Sequence, residues 1–169
     1  MLFNSIEFAV FFPLVFIGYW FVVNRNLKLQ NLFILAASFL FYGWWNWRFL
    51  ALLASGCIIN YFIGIGLNNL QNKAKRRWLL WAALIYNLGL LVVFKYLNFF
   101  IESFSTAFTF LGGNISSGSL NIVLPVGISF FTFQTLGYII EVYRKNVEPT
   151  KDFIAFSAFV SFFPLILAG

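Results

Sequence analysis

The chain is a succession of apolar runs separated by short charged clusters, and this pattern limits its fold more than any other feature. Six runs can be drawn, at about 8–23, 32–45, 49–67, 78–94, 122–140 and 153–168. A helix rises about 1.5 Å per residue and the hydrocarbon core is about 30 Å thick, so about 20 residues span it comfortably. The pattern predicts an all-α polytopic membrane protein with about six transmembrane helices. The 32–45 run is short and can also be read as tilted or re-entrant.

Composition agrees with a membrane location. Of the 169 residues, 62% are hydrophobic and only 9% are charged, which leaves too few polar side chains to cover a soluble domain. In a soluble protein, the net charge of +6 would suggest a nucleic-acid partner. Here the Lys and Arg residues lie between the apolar runs, where they act as topology signals and contact lipid headgroups. The lipid bilayer, and no nucleic acid, is the expected partner.

The distribution of basic residues predicts an orientation. With six crossings and the N-terminus outside, the outer loops hold Arg48 and Lys95, and the inner loops hold nine basic residues: Arg25, Lys28, Lys73, Lys75, Arg76, Arg77, Arg144, Lys145 and Lys151. If the second run does not cross, the most uneven division of the basic residues between the two sides of the membrane falls to 7 against 4. Because basic residues concentrate on the cytoplasmic side, six crossings with the N-terminus outside are favoured, in a multi-pass protein of the plasma (inner) membrane.

The stretch after the fourth run has a different pattern. Polar residues recur every three or four positions over about 95–110, and Phe99, Phe100, Phe104 and Phe108 fill much of the other face. This amphipathic spacing predicts one helix that lies in or near the outer interface instead of crossing. The sequence GGNISSGS, at 112–119, then predicts a flexible loop.

Polar residues inside the fifth run form one stripe. In LPVGISFFTFQTLGYIIEVYRK (124–145), a helical projection places several residues within about 60° of Gln134, among them Gly127, Gly137, Tyr138 and Glu141. An amide facing lipid would be unpaired at several kcal/mol, so the stripe must face protein or a water-filled cavity. Two interpretations stay open. The stripe packs against a neighbour, with Gly127 and Gly137 allowing close approach, or it lines a substrate path that opens inward at Glu141 and Arg144.

The third run carries a second polar pattern. Gly56, Asn60, Gly64 and Asn68 are spaced by four and share one helix face. Small residues that alternate with an amide at this spacing favour helix packing. Asn87, in the fourth run, is the candidate hydrogen-bond partner of Asn60.

Most catalytic constellations are absent from the sequence. There is no histidine, Cys57 is alone, and the five acidic residues lie at the ends of runs or in loops. These absences exclude histidine-based catalysis and paired carboxylates within these residues, and they leave no ligand set for a metal. No phosphate-binding glycine loop or serine elbow is present. We expect no catalytic residue, no metal and no bound cofactor.

Four ordered stretches carry a resemblance to a family. LPVGISFFTFQTLGYIIEVYRK, SFLFYGWWNWRFL (38–50) followed by NYFIGIGL (60–67), FKYLNFF (94–100) and FSAFVSFFPLILAG (156–169) resemble membrane-bound O-acyltransferases. The resemblance covers nearly the whole chain. It is greatest to the branch that contains the alginate O-acetylation membrane subunit and the D-alanyl transfer protein of teichoic acid.

The resemblance implies a function and a partner set. Such enzymes carry an acyl group, here expected to be acetyl, from a cytoplasmic donor to hydroxyls of an exported polysaccharide such as alginate. The implied donor is acetyl-CoA or an acyl-carrier thioester, and periplasmic or extracellular acetylation proteins are implied partners. The family's catalytic histidine lies beyond Gly169, so the chain is expected to be the N-terminal portion, inactive without the C-terminal half. By position, Gln134, Tyr138, Glu141 and Arg144 become candidates for the lining of a funnel.

Two other functions remain open. A small transporter would conduct a solute along the polar seam, and such proteins contain internal repeats. The sequence FFPL occurs at 11–14 and at 162–165, a match short enough to arise by chance among 25 Phe residues. A membrane scaffold that binds a partner enzyme is the third possibility.

Overall fold

A computed structural model describes residues 6–23, 25–96, 103 and 127–168, and within these ranges the regular structure is helical. The helices are α1 (Ile6–Ile17), α2 (Leu27–Trp45), α3 (Trp47–Asn69), α4 (Lys73–Leu91), α5 (Ile128–Arg144), α6 (Phe153–Val160) and α7 (Phe163–Ala168). Single π-helical turns extend α1 over Gly18–Val22 and α4 over Val92–Tyr96. The predicted all-α class is confirmed.

Two of the helices are long and apolar enough to cross a bilayer. They are Trp47–Asn69 and Lys73–Phe94, and shorter apolar helices cover Ile6–Val22 and Phe153–Leu165. The count of six crossings therefore stays a prediction. The predicted interfacial helix at 95–110 lies almost wholly outside the described residues, and the predicted loop at 112–119 lies outside them entirely.

An Asn or Asp residue starts four of these helices. Asn26 precedes α2, Asn46 precedes α3, Asn72 precedes α4 and Asp152 precedes α6. Each has extended backbone, and its side-chain oxygen accepts a hydrogen bond at 2.9 Å from the N–H two residues on. The bond satisfies one of the N–H groups that a helix start leaves unpaired. These caps explain why the apolar runs are broken at these short links.

Contacts between neighbouring helices establish their directions. Across the one-residue link at Asn46, a Cβ on Gly43 would lie 3.3 Å from Leu50, so α2 and α3 are antiparallel. Across the link at 70–72, a Cβ on Gly66 would lie 2.9 Å from Leu79, so α3 and α4 are antiparallel too. The helices therefore alternate in direction, as short connections require.

The remaining helices follow the same alternation. Gly56 approaches Phe131 and Gly64 approaches Tyr138, so α5 runs parallel to α3. Phe11 contacts Phe41 at 6.0 Å between ring centroids, and Gly18 approaches Phe33, so α1 runs antiparallel to α2.

These directions gather the basic residues at one end of the bundle. The starts of α2 and α4 and the ends of α1, α3 and α5 meet there, so this basic end carries Arg25, Lys28, Lys73, Lys75, Arg76, Arg77, Arg144 and Lys145. Arg48 starts α3 at the opposite end. The structure thus places at one end eight of the nine basic residues that were assigned to inner loops, and the ninth, Lys151, lies beside Tyr61 about two turns away.

Two buried clusters hold the helices together. The larger joins α2, α3, α5 and the α6–α7 segment through Phe41, Phe131, Phe156 and Phe163, each at most 2% exposed. The smaller joins α3, α4 and α5 around Leu67 and Ile139. Tyr138 packs against both clusters, so α5 lies at the centre of the assembly.

The predicted run 153–168 is not one continuous helix. It divides into α6 and α7 at Ser161 and Phe162, and Pro164 lies in the first turn of α7. Proline has no N–H to donate to Val160, and its ring would clash with that carbonyl in an unbroken helix. The break is therefore encoded by Pro164.

Substituting two glycines tests the close approach of α3 and α5. A Cβ on Gly56 would lie 2.7 Å from Phe131 Cζ, whereas a Cβ on Gly137 would meet no atom within 4 Å. We expect Gly56→Ala to lower the free energy of unfolding by about 1–3 kcal/mol through overpacking. The matched control Gly137→Ala should raise it by about 0.5–1 kcal/mol, because alanine favours the helix.

The measurement is thermal or denaturant unfolding of each variant in the same detergent. Equal effects of the two substitutions would contradict the packing described for Gly56.

Candidate functional site

Gln134 forms a hydrogen bond at the break between α6 and α7. Its Nε2 donates to the carbonyl oxygen of Phe159 at 3.1 Å. In an unbroken helix the N–H of Phe163 would bond that carbonyl, but it donates instead to Ser38 Oγ at 3.3 Å. Gln134 therefore satisfies a carbonyl that the break near Pro164 leaves without its helical partner. This contact explains an amide in the middle of an apolar run.

Tyr138 joins three elements. Its ring lies against Gly64 and is 5.0 Å from the ring of Phe156, and its hydroxyl accepts a hydrogen bond from the N–H of Thr150 at 3.2 Å. Nearby, the hydroxyl of Tyr61 donates to the carbonyl of Lys151 at 2.6 Å.

These two tyrosines show how the 145–152 segment is placed. Tyr61 lies about two turns before the end of α3, so the segment folds back from the basic end along α3 and α5. As a result α6 begins at the level of Tyr61 and Tyr138 along the bundle. The 145–152 segment that leads to it is mostly exposed, Lys151 included, and Asp152 is half-buried.

Glu141 and Arg144 lie in the last two turns of α5. Glu141 Oε2 accepts from Asn146 Nδ2 at 2.8 Å, and Arg144 is exposed. The helix ends in a Schellman motif, in which the N–H groups of Lys145 and Asn146 bond the carbonyls of Val142 and Glu141, both at 3.1 Å. Lys145 has φ 64°, a left-handed conformation that glycine usually supplies.

The four candidate funnel residues therefore do not converge on one point. Gln134 faces α6, Tyr138 faces α3 and the 145–152 segment, Glu141 bonds Asn146, and Arg144 is exposed at the basic end. Gln134 and Tyr138 make contacts that hold helices together. A role for these residues along a substrate path stays a prediction.

Asn60 and Asn87 form a buried pair between α3 and α4. Asn87 Nδ2 donates to Asn60 Oδ1 at 2.7 Å, and Asn60 Nδ2 donates to Asn87 Oδ1 at 3.3 Å. The second hydrogen of each amide bonds a carbonyl one turn back, that of Gly56 or Ala83. Both residues are fully buried, and all four amide hydrogens are used. The pairing predicted from the sequence is confirmed.

The predicted packing glycines differ in their surroundings. Gly56 and Gly64 lie against aromatic rings of α5, where a Cβ would come within 2.7 Å and 3.2 Å. Gly127 precedes α5 with φ 75°, a conformation that L side chains rarely adopt. Gly137 faces open space. Close approach thus accounts for Gly56 and Gly64, and backbone conformation accounts for Gly127.

Arg76 has a structural contact that sequence analysis did not find. Its Nη2 donates at 2.6 Å to the carbonyl of Tyr143 in the last turn of α5, and its guanidinium lies 5.2 Å from the Tyr143 ring centroid. A cation near a helix C-terminus also interacts favourably with the helix dipole. The sequence showed only a basic residue among four, and no spacing distinguishes Arg76 from Arg77.

Two buried oxygens on α5, Thr132 Oγ1 and Gln134 Oε1, have no hydrogen-bond partner among the described residues. Ser157 Oγ on α6 lies within hydrogen-bonding reach of the buried Cys57 thiol. Thr132 and Gln134 are two positions apart, so about 200° of helix rotation separates them and they face different neighbours. Of the two, Gln134 lies at the helix break. The α5–α6 contact around it, with the 145–152 segment, is the candidate functional site.

Comparison with known proteins gives matches that cover the whole of this chain, to proteins named as O-acetylating enzymes. The chain is 39% identical over 171 residues to a Pseudomonas aeruginosa protein named "Probable alginate O-acetylase AlgI", and 38% identical over 172 residues to the Pseudomonas syringae pv. tomato protein of the same name. It is 32% identical over 197 residues to a Helicobacter pylori peptidoglycan O-acetyltransferase. Each match covers 100% of this chain.

The chain spans about a third of the length of these relatives. It covers 32% of both Pseudomonas proteins and 36% of the Helicobacter pylori protein. Neither a protein-family model nor a solved structure matches it.

A first test removes the hydrogen bond between Gln134 and the carbonyl of Phe159. We expect Gln134→Leu to lower the free energy of unfolding by about 1 kcal/mol or more, because the carbonyl of Phe159 is left unpaired. In a Pro164→Ala background residues 159–164 are free to form a continuous helix, so the same substitution should have a smaller effect. Unfolding of the four proteins in detergent gives the coupling energy. Equal effects in both backgrounds would show that Gln134 does not act through the break.

A second test concerns the amide pair. Asn60→Leu and Asn87→Leu should each lower the free energy of unfolding by about 1–2 kcal/mol, because each leaves a buried amide without its partner. The double variant should lose less than the two single losses together, since it removes both amides. A double-mutant cycle of unfolding measures this difference. Strictly additive losses of free energy would contradict the reciprocal hydrogen bonds between Asn60 and Asn87. Asn68→Leu, at an exposed position, is the control and should have little effect.

Proposed function

Because the chain is, over its full length, a homologue of the N-terminal third of membrane-bound O-acyltransferases named alginate O-acetylase, we propose that it is the N-terminal part of a membrane O-acetyltransferase. The whole enzyme transfers acetyl groups to hydroxyls of an exported polysaccharide such as alginate. The single observation that carries this proposal is the match of the entire chain at 39% identity.

The names of the relatives support a class of acceptor. One group is named for alginate and another relative for peptidoglycan, and both acceptors are glycans that lie outside the cytoplasm. The chemistry common to both is formation of an ester between acetyl and a sugar hydroxyl. We assign alginate as the first acceptor to test because the higher identities belong to the alginate enzymes.

This chain supplies structure to the reaction and no general base. It contains no histidine, so the histidine expected to accept the proton of the attacking hydroxyl belongs to another part of the enzyme. The described residues contribute a rigid bundle in which α5 is held by α3, α4 and α6.

The basic end is proposed to face the cytoplasm, in accord with the positive-inside rule. An acyl donor such as acetyl-CoA, or the carrier of an acyl thioester, is anionic. Exposed Arg144 then lies at the end where the donor arrives, and its charge raises the local concentration of that donor. The neighbouring Lys145 adds to the same field.

The transporter alternative has less support. The Asn60 and Asn87 amide hydrogens are all used within the helix pair, and Gln134 Nε2 bonds a backbone carbonyl. These contacts give the polar seam a packing role. A scaffold function without catalysis is the outcome that remains if the enzyme assay fails.

The decisive experiment is complementation. The complete reading frame that contains this chain is expressed in an alginate producer that lacks its own O-acetylase, and acetyl esters per sugar residue are measured by NMR. We expect acetylation to be restored, and to be lost when 1–169 is deleted from the frame. Protein that accumulates in the membrane but leaves both alginate and peptidoglycan without acetyl esters would contradict the proposal.

A variant tests the donor side. Arg144→Gln should raise KM for the anionic donor about fivefold, the effect of one charge near a surface, with kcat and thermal stability unchanged. Arg48→Gln, which removes the same charge at the opposite end, is the matched control. Equal KM changes in the two variants would place the donor site away from Arg144.

A further inference from the structure

Two apolar cavities adjoin on one side of α2. The larger, of about 360 Å³, lies between α1, α2 and the start of α7, and its lining includes Phe12, Val15 and Trp20. The smaller, of about 270 Å³, lies between α2 and the α6–α7 segment, and its lining includes Asn31. Ile34 and Phe162 line both cavities and separate them. Together the two cavities are called the α2 groove.

The polarity of the α2 groove changes along its length. No residue that lines either cavity is charged, and the walls are mostly aliphatic and aromatic. Asn31 lies towards the basic end, and beyond it are Arg25 and the exposed Lys28. Lys28 is about 9 Å from Ile34 along the helix. An apolar groove therefore ends at two cations, which is the polarity of a phospholipid in a membrane leaflet.

Local backbone structure holds the groove open beside these cations. The π-helical turn Gly18–Val22 closes with a bond from the N–H of Val23 to the carbonyl of Gly18 at 3.2 Å. Gly18 approaches α2 so closely that a Cβ would lie 2.6 Å from Phe33 Cζ. Such π turns are frequent at functional sites. The turn places Tyr19 and Trp20, two aromatic residues with polar tips, in this wall of the groove.

We propose that the α2 groove binds one anionic phospholipid. Its two acyl chains occupy the two cavities on either side of Ile34 and Phe162, and its phosphate is held by Arg25 and Lys28. The two cations select an anionic headgroup over a zwitterionic one, because the net charge of the headgroup is then neutralised at the basic end.

The groove does not serve the acetyl group of the proposed reaction. An acetyl group has two carbons, whereas the larger cavity alone, of about 360 Å³, is within the range of about 300–1,000 Å³ typical of sites for larger ligands. The lipid site is therefore independent of the proposed enzyme activity, and neither test depends on the other.

The experiment is lipid titration followed by native mass spectrometry. The protein is delipidated in detergent and titrated with phosphatidylglycerol or with phosphatidylcholine of the same acyl chains. We expect one phosphatidylglycerol per chain, bound at least tenfold more tightly than phosphatidylcholine. Removing both charges with Arg25→Gln and Lys28→Gln should weaken binding about 25-fold, since each cation near the membrane surface contributes about fivefold.

The matched control removes the same charge elsewhere on the basic end. Lys73→Gln with Lys75→Gln, exposed residues at the start of α4, should change binding less than twofold. Loss of binding equal to that of the Arg25 and Lys28 variant would mean diffuse attraction to the whole basic end and would overturn the site. Equal affinity for the two lipids would overturn it as well.

A filling variant tests the cavities. Val15→Trp places a large ring in the larger cavity and should reduce lipid binding at least tenfold, whereas Ile85→Trp, on an exposed position of α4, should not. Unchanged binding to folded Val15→Trp would overturn the proposal, and so would a lipid-free dimer in which a second copy covers the groove. If Val15→Trp does not fold, the charge variants alone decide, because their side chains are exposed.

Discussion

In the apolar interior of a membrane bundle, every backbone N–H and C=O needs a partner from the protein itself, and the break before Pro164 is where this requirement acts most strongly. Proline removes one N–H, and the N–H of Phe163 leaves the helix to bond Ser38 on α2. The carbonyl of Phe159 instead accepts a hydrogen bond from Gln134 on α5. Two neighbouring helices are thereby tied to the same interruption, and the position of α6 within the bundle follows from those bonds.

Much of the helical framework was predictable because it depends on local patterns. The predicted runs 49–67 and 78–94 lie within the helices Trp47–Asn69 and Lys73–Phe94, since hydropathy follows burial in lipid. The Asn60–Asn87 pair followed from a single argument: an amide inside a span needs a partner on another span. The gathering of basic residues at one end likewise needed only the alternation of crossings.

The missed features depend on contacts distant in sequence. The bond of Arg76 to the Tyr143 carbonyl requires α4 and α5 to be neighbours, and no spacing in the chain encodes that adjacency. The break within 153–168 had a local signal in the sequence, Pro164. Proline is tolerated in the first turn of a helix, so its presence alone does not show whether a second helix precedes it. Gly137 shares the predicted stripe with Gln134, yet a Cβ on it would meet no atom within 4 Å, and the spacing along the helix does not distinguish the two positions.

The polar stripe of α5 is therefore structural where its contacts are described. The Nε2 of Gln134 is committed to Phe159, and that bond fixes the orientation of the amide. The Oε1 of the same amide is buried and has no partner in the described part of the chain. Because the Nε2 bond sets its direction, a donor that reached this oxygen would find it already oriented and would lose little free energy in ordering it. Rigid helix packing and an oriented acceptor are consequently one property of Gln134.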